Sequence, residues 1–370
     1  MAETEGDLMR VYVGTYTRRE PHVEGKSTGI HVLRFNASAG SLTPERVIGD
    51  IDNPSYLAIH PSGRALYAIS EVGDFEGRAE GGVFAYGLDA DSGEATLLNT
   101  RSTKGRGPAY ISVDADGKNV LIANYGGGSL SVLPIRQDMS LNTTSEFIQH
   151  EGSSVNPQRQ EAPHAHCIVL DRENRYALAA DLGMDKVMIY RYGSETGSLS
   201  ANPDQPWART KSGAGPRHIA FHPSQRTVYV INELDSTLVT YRYDAEKGSM
   251  TEVQNVSTLP EEFDGRNYPA DIHVHPSGRF VYGSNRGHDS IAAYAVDDST
   301  GELELIEIVS SGGECPRGFA LAPSGEFALV ANQDSDNLVV FGIDLETGKL
   351  SPTGIDVEIP TPVCVKMWPK

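Results

Sequence analysis

Residues 213–234 read GAGPRHIAFHPSQRTVYVINEL. Two short apolar runs, IAF and VYVI, flank the polar segment HPSQ, and β-branched and aromatic residues in runs of strand length around a Pro-containing turn make a β-hairpin pattern. Arg217 follows Pro216 at the start of the hairpin, and Glu233 closes it. A hairpin returns the chain to the face it left. These two residues, sixteen positions apart, are therefore expected to meet.

The same grammar recurs along the chain, in NPSYLAIHPSGRALYAISE from Asn53, GPAYISVDADGKNVLIANY from Gly107, APHAHCIVLDRENRYALAAD from Ala162, YPADIHVHPSGRFVYGSNR from Tyr268 and CPRGFALAPSGEFALVANQ from Cys315. A shorter copy, TPVCVKMWP, begins at Thr361. The prolines Pro54, Pro108, Pro163, Pro216, Pro269, Pro316 and Pro362 recur at intervals of 46 to 55 residues. A third apolar run and a polar turn follow each complete hairpin, as in DSIAAYAVDDSTGEL from Asp289, and a more variable fourth strand precedes the next proline. Four strands per period of about fifty residues are the mark of a β-propeller blade. Seven prolines give seven blades.

The seventh copy is split between the ends of the chain. Thr361 to Met367 supplies its first strand, while Val11 to Tyr16 and Gly29 to Leu42 supply its second strand and its third strand with turn. The expected fold is an all-β, seven-bladed β-propeller with four-stranded blades, closed by pairing the N-terminal strands with the C-terminal strand. Closure removes exposed sheet edges. Residues 1–370 are expected to form one domain, with residues 1–9 a flexible extension. Two segments break the repeat and are expected to be loops, GDFEGRAEGG from Gly73 and QHEGSSVNPQRQEA from Gln149; loops on a rigid ring often carry function.

Composition narrows the partners. Fifty acidic against 31 basic residues leave a formal charge of −19, which argues against nucleic acid and against an anionic lipid surface, both of which require clustered Lys and Arg. Most of these carboxylates keep the surface soluble. Cys167, Cys315 and Cys364 are odd in number, scattered, and set in strand-like runs, as buried thiols of a reducing compartment are. The start, MAETEGDLMR, lacks the basic and apolar segments of a signal peptide, and no apolar run approaches the roughly 20 residues of a spanning helix. A cytoplasmic protein is expected; oligomeric state is not legible.

In a propeller the first strand of each blade lines the central channel and the second runs back beside it. One mouth therefore collects the residue after each proline, including His164, Arg217 and Arg317, and residues near seventeen positions after it, including Asp181 (one later), Glu233 and Arg286. Guanidinium forks suit a carboxylate or phosphate, and a histidine exchanges protons near neutral pH. Glu233 could orient the histidine, act as a base or pair with an arginine. His60, His222 and His275, in the far turns, read as structural, and His218 and His273 as satisfied core histidines. His164 and His166, two apart on a strand with Asp181 nearby, raise a divalent metal site, but spacing this common is weak support for one, and no metal and no cofactor are expected.

PHAH, GAGPRHIAFHP with NEL, ADIHVHPSGRFVYGSNRGHDSI and PRGFALAPSGEFALVANQ together resemble the lactonase family of seven-bladed propellers, to which bacterial 6-phosphogluconolactonases and the fungal carboxymuconate cyclase belong. The resemblance runs from VYVGTY to TPVCVKM. It implies cofactor-free hydrolysis of a small anionic lactone, with 6-phosphogluconolactone of the oxidative pentose phosphate route as substrate. Carried over by motif, the catalytic set is His164, Arg217, Glu233 and Arg286, with Arg317, Asp181 and His166 as further substrate-binding candidates; His166 is not shared by every branch. Arg217 and Arg286 would hold the substrate and polarise its ester, while His164, assisted by Glu233, activates water. The other readings are a carboxymuconate-type cycloisomerase, a hydrolase of an unphosphorylated lactone, and a binding scaffold without catalysis, against which the retained site residues argue.

Overall fold

At five of the seven prolines the preceding residue is left-handed: Asn53 (φ 44°), Gly107 (53°), Gly215 (65°), Cys315 (59°) and Thr361 (43°). Proline fixes its own φ and disfavours the right-handed helical region for its predecessor, so the chain bends sharply at these five positions ahead of the inner strand. At Gly215 a side chain is excluded twice over, by φ and by Leu234, whose Cγ would lie 2.6 Å from an added Cβ.

The computed structural model describes residues 8–38, 41–90 and 92–369. Seven antiparallel sheets of four successive strands make the blades. Their inner strands are Leu57–Ile59, Pro108–Val113, Ala165–Leu170, Pro216–Phe221, Tyr268–Val274, Pro316–Leu321 and Pro362–Pro369, for blades 1 to 7 in that order. Blade 3 carries an additional short strand, Trp207–Arg209. Blade 7 is closed as the split repeat requires: Pro362–Pro369 pairs with Leu8–Thr15, which pairs with Ile30–Asn36 and then Ser41–Ile48. A two-stranded hairpin, Arg19–Glu20 with Val23–Glu24, lies outside the ring sheets. The one helical element among the described residues is the 3-10 turn Leu182–Met184.

Two of the residues expected in a flexible N-terminal extension are part of the ring. Leu8 and Met9 belong to the blade 7 strand, and Met9 is buried against the neighbouring blade, because a closing strand gains ladder hydrogen bonds and apolar burial wherever a partner is available. Residues 1–7, with part of the expected turn before Leu42, lie outside the described residues.

Repeated side chains join blade to blade. Tyr67, Tyr176, Tyr229 and Tyr282, each thirteen residues after its blade's proline, donate their hydroxyls to carbonyls of the following blade: Met139, Glu246, Gly301 and Gly348, at 2.8–3.0 Å. A buried ring that also satisfies its hydroxyl contributes packing without a polar penalty. The HPS turns act alike. Nδ1 of His60, His222 and His275 meets the serine two residues on, and Nε2 meets the carbonyl of Gly117, Gly278 or Gly325 in the next blade.

A shift of register beside the proline aims side chains into the channel. Pro216 pairs with Asn232 but His218 with Ile231, leaving Arg217 as an extra residue, a β-bulge. The same bulge isolates Ala109 in blade 2, His166 in blade 3 and Arg317 in blade 6. A bulge turns its unpaired residue away from the sheet face it would otherwise share. Blade 3 differs in one respect: its inner strand starts two residues after Pro163, with Ala165 opposite Asp181. Ala165 therefore corresponds to Pro216 of blade 4, His166 to Arg217, and Asp181 to Asn232.

Candidate active site

Arg217 and Glu233 meet, as the hairpin requires: Arg217 Nε donates to Glu233 Oε2 at 3.0 Å, with both side chains buried. Arg286, closing the second strand of blade 5, donates Nη2 to the same oxygen at 2.9 Å. The other oxygen, Oε1, takes Nη2 of Arg159 at 2.5 Å. Burial alone would raise the Glu233 carboxyl, but Arg286, Arg217 and Arg159 together hold it well below the usual carboxylate range. A carboxylate so encircled is ionised and a poor proton acceptor. Its part is to array guanidinium groups.

Arg217 is fixed on every side. Its Nη1 reaches the carbonyl of Ala270 at 2.5 Å and Nε2 of His218 at 3.2 Å. Burial, with Arg286 beside it, brings its pKa down to about 10, so it stays charged at neutral pH. His218 is held in turn by Nδ1 to Asp271 Oδ1 at 2.8 Å, and burial beside Arg217 pushes its pKa down to about 4. The neutral ring thus donates from Nδ1 to Asp271 and presents the Nε2 lone pair to Arg217. Asp271 is kept ionised against its burial by His273 and His218, and it accepts backbone N–H groups of Ile272 and Phe319.

A cavity of about 470 Å³ opens at this mouth. His22, Glu71, Ala109, Tyr125, Arg159, His166, Glu233, Tyr268, Arg286 and Arg317 line it. Arg217 lies in the narrower throat beneath, with His166 and Arg317 at the junction. Arg317 donates to the Tyr16 hydroxyl at 2.9 Å, which itself donates to Glu71 Oε2 at 2.9 Å. Four guanidinium groups face two carboxylates, so an acidic chain presents a net positive pocket.

The two histidines of PHAH take different places. His166, on the bulge, lines the cavity; burial, with Arg217 and His218 nearby, lowers its pKa well below the ordinary histidine value, so the ring is neutral. Its Nδ1 is buried without a partner. His164 stands on the approach to the strand and is not among the lining residues. Its ring stacks on Tyr125 at 4.6 Å, Nδ1 lies 3.0 Å from the Tyr125 carbonyl, and Nε2 lies 3.2 Å from Glu161 Oε1. Glu161, not Glu233, is therefore the carboxylate beside His164.

Asp181 departs from expectation as well. It is wholly buried, with Oδ2 on His150 Nδ1 at 2.6 Å and Oδ1 accepting the backbone N–H of His164 at 2.8 Å. The two-residue offset of blade 3 puts it in the sheet, where it braces the histidine segment and cannot touch a substrate. Asp181 is thus taken up by His150 and the His164 backbone, and no group of three or more His, Cys, Asp or Glu placed to hold a metal ion occurs among the described residues.

Arg159 escaped the repeat because it lies in the Gln149–Ala162 insertion, which has no counterpart in other blades. Its loop is built around two buried side chains. Gln160 Nε2 bonds the Leu182 carbonyl and Asp185 Oδ1, at 2.9 and 2.7 Å. Asp185 also accepts the Ser154 hydroxyl and the backbone N–H groups of Gly213 and Gly215, the latter two at 2.7 and 2.8 Å. One carboxylate thus ties the Arg159 loop to the turn that launches Arg217. Replacing Asp185 by alanine would strand four donors and is expected to cost about 2–4 kcal/mol of stability, with a weakened substrate KM. Urea titration checks it; an unchanged midpoint would show the tie to be dispensable.

The family model described as Lactonase, 7-bladed beta-propeller, matches residues 10–367. The chain belongs to this lactonase family. A relative from Bacillus subtilis (strain 168), named 6-phosphogluconolactonase, is 38% identical over 96% of this chain and 97% of its own. Another of that name, from Formosa agariphila, is 34% identical over 84% of this chain and 86% of its own. The solved structure of a periplasmic gluconolactonase from Pseudomonas aeruginosa superposes with a TM-score of 0.90 at 35% identity, covering 97% of this chain and 99% of the other. Lactonase propellers thus include members named for a phosphorylated and for an unphosphorylated lactone.

Proposed function

We propose that this chain is a sugar-lactone hydrolase that opens 6-phosphogluconolactone to 6-phosphogluconate without a cofactor. The observation that carries the reading is the pocket itself: Arg159, Arg217, Arg286 and Arg317 against Glu71 and Glu233, a net cationic site at the channel mouth of a chain of net charge −19. A small anion is the ligand it complements.

In the proposed reaction Arg217 and Arg286 hold the substrate and draw charge toward the lactone carbonyl oxygen. His166 adds a neutral donor: with Nδ1 buried and unpartnered, its proton belongs on Nε2, since an orphaned acceptor costs less than an orphaned N–H. A neutral imidazole can polarise a carbonyl as a hydrogen-bond donor. His164 does not line the cavity but stacks on Tyr125, which does; from there it takes a proton, through Nε2, from a water at the mouth, with Glu161 beside it to stabilise the imidazolium. The water oxygen adds to the carbonyl carbon, the oxyanion is met by donors already in place, and the ring C–O bond breaks as the leaving oxygen takes a proton from His164. Glu233 keeps the guanidinium groups in array.

His164→Ala and His166→Asn are each expected to lower kcat at least about 100-fold, measured as proton release above the spontaneous rate. A fully active His164→Ala variant would remove that residue from the reaction. Hydrolysis of an unphosphorylated lactone is the second reading, favoured by the likeness to a gluconolactonase. The reading includes a cytoplasmic location, which three free thiols support; no helix among the described residues is long and apolar enough to cross a membrane.

A further inference from the structure

The three guanidinium groups on Glu233 lie at different depths. Side-chain exposure is 3% for Arg217, 12% for Arg286 and 33% for Arg159. Arg217 faces the throat beside His166, Arg286 lines the cavity above it, and Arg159 is the most exposed of the three. A lactone whose carbonyl sits by His166 and Arg217 therefore carries its far end toward Arg159.

Arg159 is also built to receive something. Both of its side-chain hydrogen bonds, to Glu233 Oε1 and to the Tyr125 hydroxyl at 3.3 Å, use Nη2. Its guanidinium carbon lies 5.7 Å from the centre of the Tyr268 ring, which supports the plane. Nε and Nη1 make no hydrogen bond among the described residues; they lie on opposite sides of the guanidinium, so each can give a single charge-assisted hydrogen bond to a phosphate oxygen while Nη2 stays on Glu233. The loop behind it is pegged by buried Gln160, so the group is preorganised rather than recruited on binding.

Resting on the lactonase reading, we propose that Arg159 is the residue that selects a lactone bearing a distal phosphate over the same lactone without it. The excess of four guanidinium groups over two carboxylates balances a phosphate dianion, whereas an uncharged lactone leaves it unspent.

The test compares wild type, Arg159→Ala and Arg159→Lys on 6-phosphoglucono-1,5-lactone and on glucono-1,5-lactone, with circular dichroism to establish that each variant is folded. The expected result for Arg159→Ala is a fall of about 10- to 100-fold in the ratio of kcat/KM, phosphorylated over unphosphorylated, carried mainly by KM. Lysine, which keeps the charge but not the planar group braced on Glu233 and Tyr268, should restore only part of it. Equal losses on both lactones would overturn the proposal, since Arg159 would then act only through Glu233. So would an unchanged ratio, or a wild type that prefers the unphosphorylated lactone. If wild type hydrolyses neither, the lactonase reading fails by itself, and calorimetry with 6-phosphogluconate still decides: weaker binding to Arg159→Ala supports phosphate selection, and equal binding overturns it.

Discussion

Arg217→Ala is expected to lower kcat/KM for 6-phosphogluconolactone about 100- to 1,000-fold, the cost of removing a preorganised donor from a developing oxyanion, while the ring stays folded. The size follows from how Arg217 is held. Its guanidinium is bonded to Glu233, to the Ala270 carbonyl and to His218, in a throat from which water is largely excluded, so a ligand meets a charge that need not reorganise. Glu233 retains Arg159 and Arg286 in the variant and is not left as an unpaired buried charge. The loss should therefore appear in turnover and leave the thermal midpoint within a few degrees. Arg217→Lys should fare little better, because an ammonium cannot reach carboxylate, carbonyl and imidazole together. A variant that is inactive only because it is unfolded would not support the assignment.

Glu233→Gln should produce the largest change in stability. Three guanidinium groups converge on this one side chain, and deleting the charge from a buried ionic cluster costs about 3–5 kcal/mol. The pH dependence has a definite sign. The folded Glu233 carboxyl lies well below its unfolded value, so the unfolded chain binds the extra proton in acid. Its contribution is complete above the unfolded carboxylate pKa of about 4.3 and is lost as pH falls through the folded value. Chemical denaturation of wild type and Glu233→Gln should thus differ most near neutrality and converge in acid. A difference that stays constant from pH 7 to pH 3 would mean that the ionised form is not what holds the cluster. Activity should fall as well, since the arginines would repel one another without the carboxylate between them.

The architecture was legible because one short rule repeats. A proline, two strands and a far turn recur seven times, and the physical devices recur with them: a left-handed residue before five of the seven prolines, and a tyrosine or histidine that reaches the next blade from four of the blades. Arg217 and Glu233 could be paired from the hairpin alone. What resisted reading was whatever broke the repeat. Blade 3 begins its inner strand two residues after its proline, and counting from Pro163 therefore put His164 where the pairing puts His166, and Asp181 on the rim instead of in the sheet. Register of this kind is decided by ladder hydrogen bonds and bulges, which composition does not display. Arg159 and Gln160 lie in an insertion with no sister segment to align, and Asp185 looks like an ordinary turn aspartate until the loop and the GAGP turn close around it. The insertion itself was visible as a departure from the period, the one signal that could have led to Arg159.

Proton release from 6-phosphogluconolactone, followed in a pH-stat against the spontaneous rate, tests the central claim most directly when wild type and Arg217→Ala are compared beside glucono-1,5-lactone. Wild type should open the phosphorylated lactone far above background and faster than the unphosphorylated one, with Arg217→Ala close to background. Wild-type release at the spontaneous rate, or a folded Arg217→Ala variant as fast as wild type, would contradict a lactone site built on these arginines.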